Sequence, residues 1–589
     1  MTDPDQSLRI FTSVPIESEE QRRKLAELER KIFDRRERQA ASIPKDWLLS
    51  SPPPAEQLNV IDSPRVCGLL NEQELEITET DDVSLILKNL HTGVWSAVDV
   101  TTAFCKRAIV AHQLTNCLTE IWIEDALKRA RELDDIFAKQ GPVGPLHGLP
   151  ISLKDQFDVA GKECTMGIAS WLGRISEEDA ALVTVLKSAG AIPYVRTNVP
   201  QTLMRGETDN WVFGLTTNPH NRNLAAGGSS GGEGALIALK GSPLGVGTDI
   251  GGSIRIPSAF CGLYGVRPTM RRLPYYGASN TYLGQEAVES SLGPMSRSLA
   301  GLVEFVKAVT NGNPSDVDPK VVEMPWREEL YQLKRIGGRG TKLCFAYYDN
   351  DEVVKPHPPV RRAIQITVDA LRKAGHTVIR WEPYQHGYAY DTLSRIFNSD
   401  YGEDFDRIMS EAGEPLWPGV PYRAYPPITV WEAWQLSREK EAFRKKILDK
   451  WIATKELTGT GRPIDALLCP AAPSAAPPHA QFEYVGAVSG LLGWLRDAAI
   501  YVYGLHVVLQ LRGPAAIIPV TRVDPELDAK DQEYTPKSEL EAKVYGMYSP
   551  ETFRDAPVCV QLAGRRFREE ELLGICEIVD EALKVHGSG

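Results

Sequence analysis

The sequence predicts an α/β protein, and three observations carry that reading. Short apolar runs rich in Val, Ile, Leu and Phe recur between longer amphipathic stretches. Glycine and proline mark the junctions between them. No repeat of fixed short period interrupts the alternation. Such a pattern predicts a mixed, twisted β-sheet core covered by helices on both faces, here preceded by a helical extension.

The elements follow in order. Residues 1–80 read as a helical N-terminal extension and connector, and 81–589 as one large domain. Ser18, with Gln21 three residues on, predicts a capping box. Behind it, EEQRRKLAELERKIFDRRERQA places Leu25, Leu28 and Ile32 on one helical face. That stripe is too short for a coiled coil, so a solvated, docked helix is expected. SIPKDWLLSSPPPAEQL reads as an extended connector. From Val83 to Phe137 the pattern is mostly helical, with Ala126, Ala130 and Leu133 on one face. GPVGPLHGLPISLKDQFDV is a glycine-proline loop running into an alternating segment. DAALVTVLKSAG then AIPYVRTNVPQ reads as helix, turn and strand, and LIALKG then PLGVGTD repeats the idea. TKLCFAYYD, GHTVIRW, IDALLCP, AAIIPVT and VCVQLAG are further strands.

Val485 to Leu511 is long and apolar enough to raise a membrane span. Arg496 and Asp497 sit at its middle, and four glycines weaken a helix, so a buried or partly exposed apolar hairpin is the better reading.

Bulk properties narrow the function. A formal net charge of -12 disfavours nucleic acid and anionic membranes as partners. The nine cysteines contain no CxxC pair and no zinc spacing. Reduced, mostly buried thiols in a cytoplasmic protein are expected. MTDPDQSLRIF lacks the pattern of a secretory signal, and KVHGSG carries no anchor or peroxisomal address.

Candidate chemistry concentrates between Gly227 and Pro257, in two serine-glycine knots, GGSSGG and DIGGSIR. No GK[ST] follows, so this is not a phosphate-binding loop. G-x-S-x-G occurs around Ser229 and Ser230, but a hydrolase elbow of that kind needs a later acid and histidine. His357, His376, His386, His479 and His506 have no surrounding motif. Upstream, PISLKDQFDV sets Lys154 among Ile151, Leu153 and Phe157. Alone, such a lysine is more often a surface side chain with a buried stem.

Over roughly residues 80 to 585 the sequence resembles the amidase signature family. The likeness is densest in LHGLPISLKDQFDV, TNVPQ, GLTTNP and AAGGSSGGEGALIALKGSPLGVGTDIGGSIRIPSAFCGLYGVRPT. It implies the amidase signature fold for 81–589 and amide hydrolysis by a Ser-Ser-Lys triad. Lys154 would match the base, Ser229 the bridging serine and Ser253 the nucleophile. The amides of Ile250, Gly251, Gly252 and Ser253 would form the oxyanion hole. Asp249 and Arg255 match structural positions and are expected to pair and hold the loop. Ser230 also matches a signature position; with Leu203 and Met204 it is a candidate for substrate contact, and Arg205 adjoins them.

The relay has a physical requirement. A lysine of ordinary pKa, about 10.4, is protonated at neutral pH and cannot accept a proton. Burial lowers that pKa, and half neutrality near pH 8 needs roughly 3.3 kcal/mol. No metal or organic cofactor is implied.

Within the family, IPKDWLL, HQLTNCLTEIW, YGEDF and RVDPELD resemble the fungal acetamidase type, which takes small carboxylic amides. The departure is Val485–Leu511, open to reading as a hydrophobic lid, a membrane-docking surface or an unspliced intron. Two alternatives stand beside the cytoplasmic amidase: a membrane-docked fatty-acid amide hydrolase-like enzyme, and a non-catalytic amide-binding protein. Assembly is open, with a homodimer as one outcome.

Overall fold

The computed structural model describes residues 8–410, 412–420, 422–423, 425–479 and 513–587. The segment 485–511 and His506 lie outside these. Thirteen strands are described, in chain order: β1 Leu118–Ile121, β2 Pro150–Lys154, β3 Ile192–Thr197, β4 Thr217–Asn218, β5 Asn221–Ala225, β6 Leu244–Asp249, β7 Tyr264–Arg267, β8 Ser291–Ser296, β9 Cys344–Tyr347, β10 Thr377–Arg380, β11 Ala466–Pro470, β12 Ala515–Arg522 and β13 Pro557–Ala563.

Eleven of them form one sheet, ordered β1-β3-β2-β6-β8-β7-β12-β13-β11-β9-β10; β4 and β5 pair separately. The sheet is mixed. β2 runs parallel to β3 and β6, as β9 does to β10 and β11, while the pairs from β6 through β8, β7, β12 and β13 to β11 are antiparallel. β2, β6, β8, β11 and β13 are buried at every position, so both faces are covered. Most of their apolar side chains join one continuous core with the helices Ala97–Thr115, Gly231–Ala238, Leu299–Asn311 and Glu569–His586, while Leu467, Cys469 and Ala563 of β11 and β13 pack in a second cluster with Trp381 and Trp451.

Every strand expected from periodicity is present. Three strands of the large sheet, β1, β7 and β8, were not expected. β1 interrupts the stretch read as helical: Asn116 ends the preceding helix in the left-handed region at φ 55°, and Leu118 then pairs with Thr197 of β3. β8, SLGPMS, carries glycine and proline and has poor strand propensity. Its pairing explains it, because a side chain at Gly293 would collide with the Val266 carbonyl of β7.

The N-terminal helix, Glu19–Ala41, buries Leu25, Leu28 and Ile32 in a cluster with Phe11, Trp211, Val212 and Phe213. The Ser18 hydroxyl accepts from the Gln21 amide, but the Gln21 side chain accepts from Glu17 rather than from Ser18, so only half of the expected box forms. Docking also uses charge. Arg35, 4% exposed, donates to Glu163 at 2.5 Å and to the Thr119 carbonyl at 2.7 Å, and Arg36 donates to the Val212 carbonyl at 2.6 Å. Eight of the nine cysteines are buried, as expected for structural thiols. Among the described residues no helix is long and apolar enough to cross a membrane.

Candidate active site

Lys154 is the last residue of β2, and Ser152 shares its face by the two-residue period of a strand. Ser152 faces the helix Gly231–Ala238, and Lys154 faces the first serine knot that leads into it. The Ser152 hydroxyl donates to Glu233 at 2.5 Å, and Lys154 Nζ and Ser229 Oγ share a hydrogen bond of 2.7 Å. The close approach is made by missing side chains. A β-carbon at Gly245 of β6 would meet the Glu233 carboxyl and the Ser152 hydroxyl, and one at Gly228 would meet the Arg205 carbonyl. The Gly228–Ser229 peptide is cis.

The second knot follows β6. The Ser230 amide donates to the Ser253 carbonyl at 3.2 Å, which ties the two knots together. Ser229 and Ser253 are each 2% exposed, and Lys154 is fully buried. Although far apart in sequence, Lys154 and Ser229 meet at the end of β2, and Ser253 is tied to them by the backbone bond from Ser230.

Asp249 organises the second knot. It accepts from Arg255 Nε and NH2, each at 2.9 Å, and from the Gly252 amide at 2.7 Å. Arg267 lies 3.6 Å from the same carboxylate. Asp249 and Arg255 therefore pair as expected. The Gly252 amide, however, is committed to this carboxylate, so the expected four-amide oxyanion hole is reduced to Ile250, Gly251 and Ser253 as candidate donors. Burial pushes the Asp249 pKa up, but Arg255, Arg267 and the Ile254 amide hold it below the ordinary value.

Burial has the opposite effect on the lysine. It pushes the Lys154 pKa down to about 7, against the pull of Asp249 and Glu233. Glu233 is also fully buried; burial raises its carboxyl to about 8, although Ser152, Thr197 and Lys154 favour the charged form.

A polar chain leading from the lysine was not foreseen from the sequence. Nζ donates to Thr248 Oγ1 at 2.8 Å. Thr248 donates to Gln156 Oε1 at 2.7 Å, and Gln156 Nε2 donates to the Tyr275 hydroxyl at 2.8 Å. Tyr275 and Ile250 line a cavity of about 430 Å³ with Leu273, Thr281, Tyr282 and Val288.

The remaining candidates fall around this centre. Met204 packs beside Ile250 and Val288. Leu203 joins an adjacent cluster with Met166, Val199 and Met409. Ser230 is fully buried, and its hydroxyl lies against Gly247 of β6. Arg205 pairs with Asp209. Among the described late histidines, His357 bonds the Val544 carbonyl, His376 accepts from the Leu343 amide and His479 engages Glu207. His386 is buried, and burial pushes its pKa down to about 3.

Comparison with known proteins gives a consistent family. The Amidase family model matches residues 99–573. An acetamidase of Emericella nidulans is 43% identical over 554 residues, spanning 93% of this chain and 97% of that protein. An acetamidase of Aspergillus oryzae is 42% identical over 554 residues, spanning 93% and 98%. A solved structure of fatty acid amide hydrolase superposes with a TM-score of 0.86 at 31% identity, covering 98% of this chain and 99% of that one.

Proposed function

The chain belongs to the amidase family and is an amidase-type hydrolase, and from that premise we propose that it cleaves small carboxylic amides through Lys154, Ser229 and Ser253. One observation carries the mechanism: a fully buried lysine amine shares a 2.7 Å hydrogen bond with the hydroxyl of Ser229.

The chemistry follows from that contact. With its pKa pushed down by burial to about 7, Lys154 is accessible as a neutral amine with a free lone pair near neutral pH. Ser229 gives its proton to that lone pair as it takes the proton of Ser253, acting as donor and acceptor together. The Ser253 oxygen attacks the amide carbon, and the C=O electron pair moves onto oxygen. The amides of Ile250, Gly251 and Ser253 receive the oxyanion; Asp249, Arg255 and the Gly252 amide hold their loop in shape. The lysine proton returns through Ser229 to the leaving nitrogen, the C–N bond breaks, and ammonia or an amine departs. A water molecule then repeats the relay on the Ser253 ester and releases the acid. Small amides are favoured as substrates because relatives at 42–43% identity are named acetamidases.

The test is ammonia release from acetamide by the purified full chain, alongside labelling by a fluorophosphonate. Ser253→Ala abolishes both, and Lys154→Met reduces turnover by about 10³-fold or more with folding intact. Full turnover by Ser253→Ala overturns the proposal.

A further inference from the structure

The neutral lysine has two N–H donors and one lone pair, and the relay needs that lone pair reserved for Ser229. Thr248 is the competing hydroxyl, since it lies 2.8 Å from Nζ. A hydroxyl has one hydrogen. In Thr248 that hydrogen is held by Gln156 Oε1 at 2.7 Å, so toward the lysine Thr248 can only accept. Gln156 is itself fixed. Its Nε2 donates to Tyr275, its amide donates to the Lys154 carbonyl at 2.6 Å, and its carbonyl accepts from the Ser279 amide at 2.8 Å. Thr248, Gln156 and Lys154 are all buried. The Tyr275 hydroxyl is the other group that Thr248 reaches, and a hydrogen turned to it likewise leaves Thr248 an acceptor toward the lysine.

We propose that Thr248 and Gln156 are positioning residues that set the polarity of the relay: Gln156 takes the threonine hydrogen, Thr248 takes one lysine hydrogen, and the lysine lone pair is left aimed at Ser229. This deepens the proposed function and rests on Lys154 being the base. The ionisable groups facing the lysine from neighbouring elements are Glu233 on its helix and Asp249 at the end of β6. Asp249 is bound by Arg255 and Arg267. Next to the lysine in sequence, just past β2, Asp155 lies 3.7 Å from Arg196 of β3. None of these supplies an oriented acceptor at Nζ; Thr248 does.

The test is the pH dependence of acetamide turnover by the full chain carrying defined substitutions. Thr248→Val removes the acceptor in the same shape. It lowers kcat by about 10- to 100-fold through misorientation of the amine, with KM within about twofold. It also moves the acid limb of the profile to lower pH, because the ammonium loses more from a missing acceptor than the amine does. Thr248→Ser restores both. Gln156→Leu combined with Tyr275→Phe frees the Thr248 hydrogen to occupy the lone pair, so kcat falls and the acid limb again moves down. Gln156→Glu keeps an acceptor for Thr248 and adds negative charge, so the acid limb moves up. A structural role alone predicts lower activity with an unmoved acid limb in all variants, and that result overturns the proposal. So does a Thr248→Val enzyme with unchanged kcat. Lys154→Met separates the two levels: if it keeps turnover, the base assignment fails, and if it loses turnover while Thr248→Val is neutral, only the positioning role fails.

Discussion

Lys154→Met tests the electrostatic core of the proposed mechanism without any substrate. Methionine is unbranched and apolar, and it fills nearly the space of the lysine stem. In the native protein burial takes the lysine from 10.5 to about 7, which at 1.36 kcal/mol per pH unit is worth about 5 kcal/mol. The sign is that of a depressed base. Below pH 7 the lysine is charged in both states, and the folded state bears the whole penalty. Between pH 7 and 10.5 the unfolded chain holds more protons than the folded one, so wild-type stability rises with pH. Methionine removes that dependence. The variant's advantage is therefore about 3 kcal/mol larger at pH 6 than at pH 9, two pH units above the folded value. Using this double difference cancels the pH-independent loss of the hydrogen bonds to Ser229 and Thr248. The assay is equilibrium urea unfolding followed by tryptophan fluorescence, with unfolding and refolding curves required to superimpose. Repeating it in a Glu233→Gln background takes the neighbouring carboxyl's titration out of the comparison. A double difference within about 0.5 kcal/mol of zero means that the lysine is not depressed, and a general base at that position then has no physical footing.

Other consequences are as direct. With the base at about 7, kcat/KM on acetamide falls about tenfold per pH unit below pH 7; a profile flat from pH 8 to 5.5 contradicts this. Glu233 has its carboxyl raised to about 8, so its contribution is complete below pH 4.5 and is lost as pH rises through 8. Urea unfolding of Glu233→Gln therefore shows a shallower decline over that window than wild type, and parallel curves refute the raised value. Arg255→Met leaves Asp249 short of its bidentate partner in a fully buried site and costs about 3–5 kcal/mol, read as a lowered urea midpoint; Asp249→Asn in the same chain recovers part of it. Arg35→Leu strips the buried Glu163 of its 2.5 Å partner and lowers the melting temperature, whereas the exposed Arg38→Leu leaves it within a degree or two.

What the sequence discloses and what it hides divide along one line. Strands and helices announce themselves by local period, and the apolar neighbours of Lys154 follow from the stretch Ile151 to Phe157. Contacts across elements do not. Arg35 meets Glu163 from 128 residues away, and the docked N-terminal helix, read from its apolar stripe, hides that ion pair in what looks like a solvated face. Thr248 reaches Lys154 because β2 and β6 run parallel with Leu153 opposite Val246, a register that no local pattern encodes. β8 formed against its own propensity because two neighbours needed a strand between them.

Yet one signal in the sequence did carry long-range information. In LGVGTD, Gly245 and Gly247 alternate with Val246, and in a strand that spacing puts both glycines on one face. A bare stripe of this kind weakens a strand unless something lies against it. Here Gly245 admits the Glu233 carboxyl and Gly247 admits the Ser230 hydroxyl, so the stripe is the seat of the first serine knot. The same strand carries Thr248 and Asp249 and leads into the second knot. A glycine stripe of period two between two serine knots thus implies that the knots converge on that strand. Filling it tests the argument: Gly247→Ala sets a methyl group against Ser230 and Ile254, displaces the first knot from the second, and is expected to lower acetamide turnover by about 100-fold while Gly340→Ala, where a methyl group meets nothing, is neutral in turnover. Wild-type turnover in Gly247→Ala would show that the two knots do not depend on this close approach.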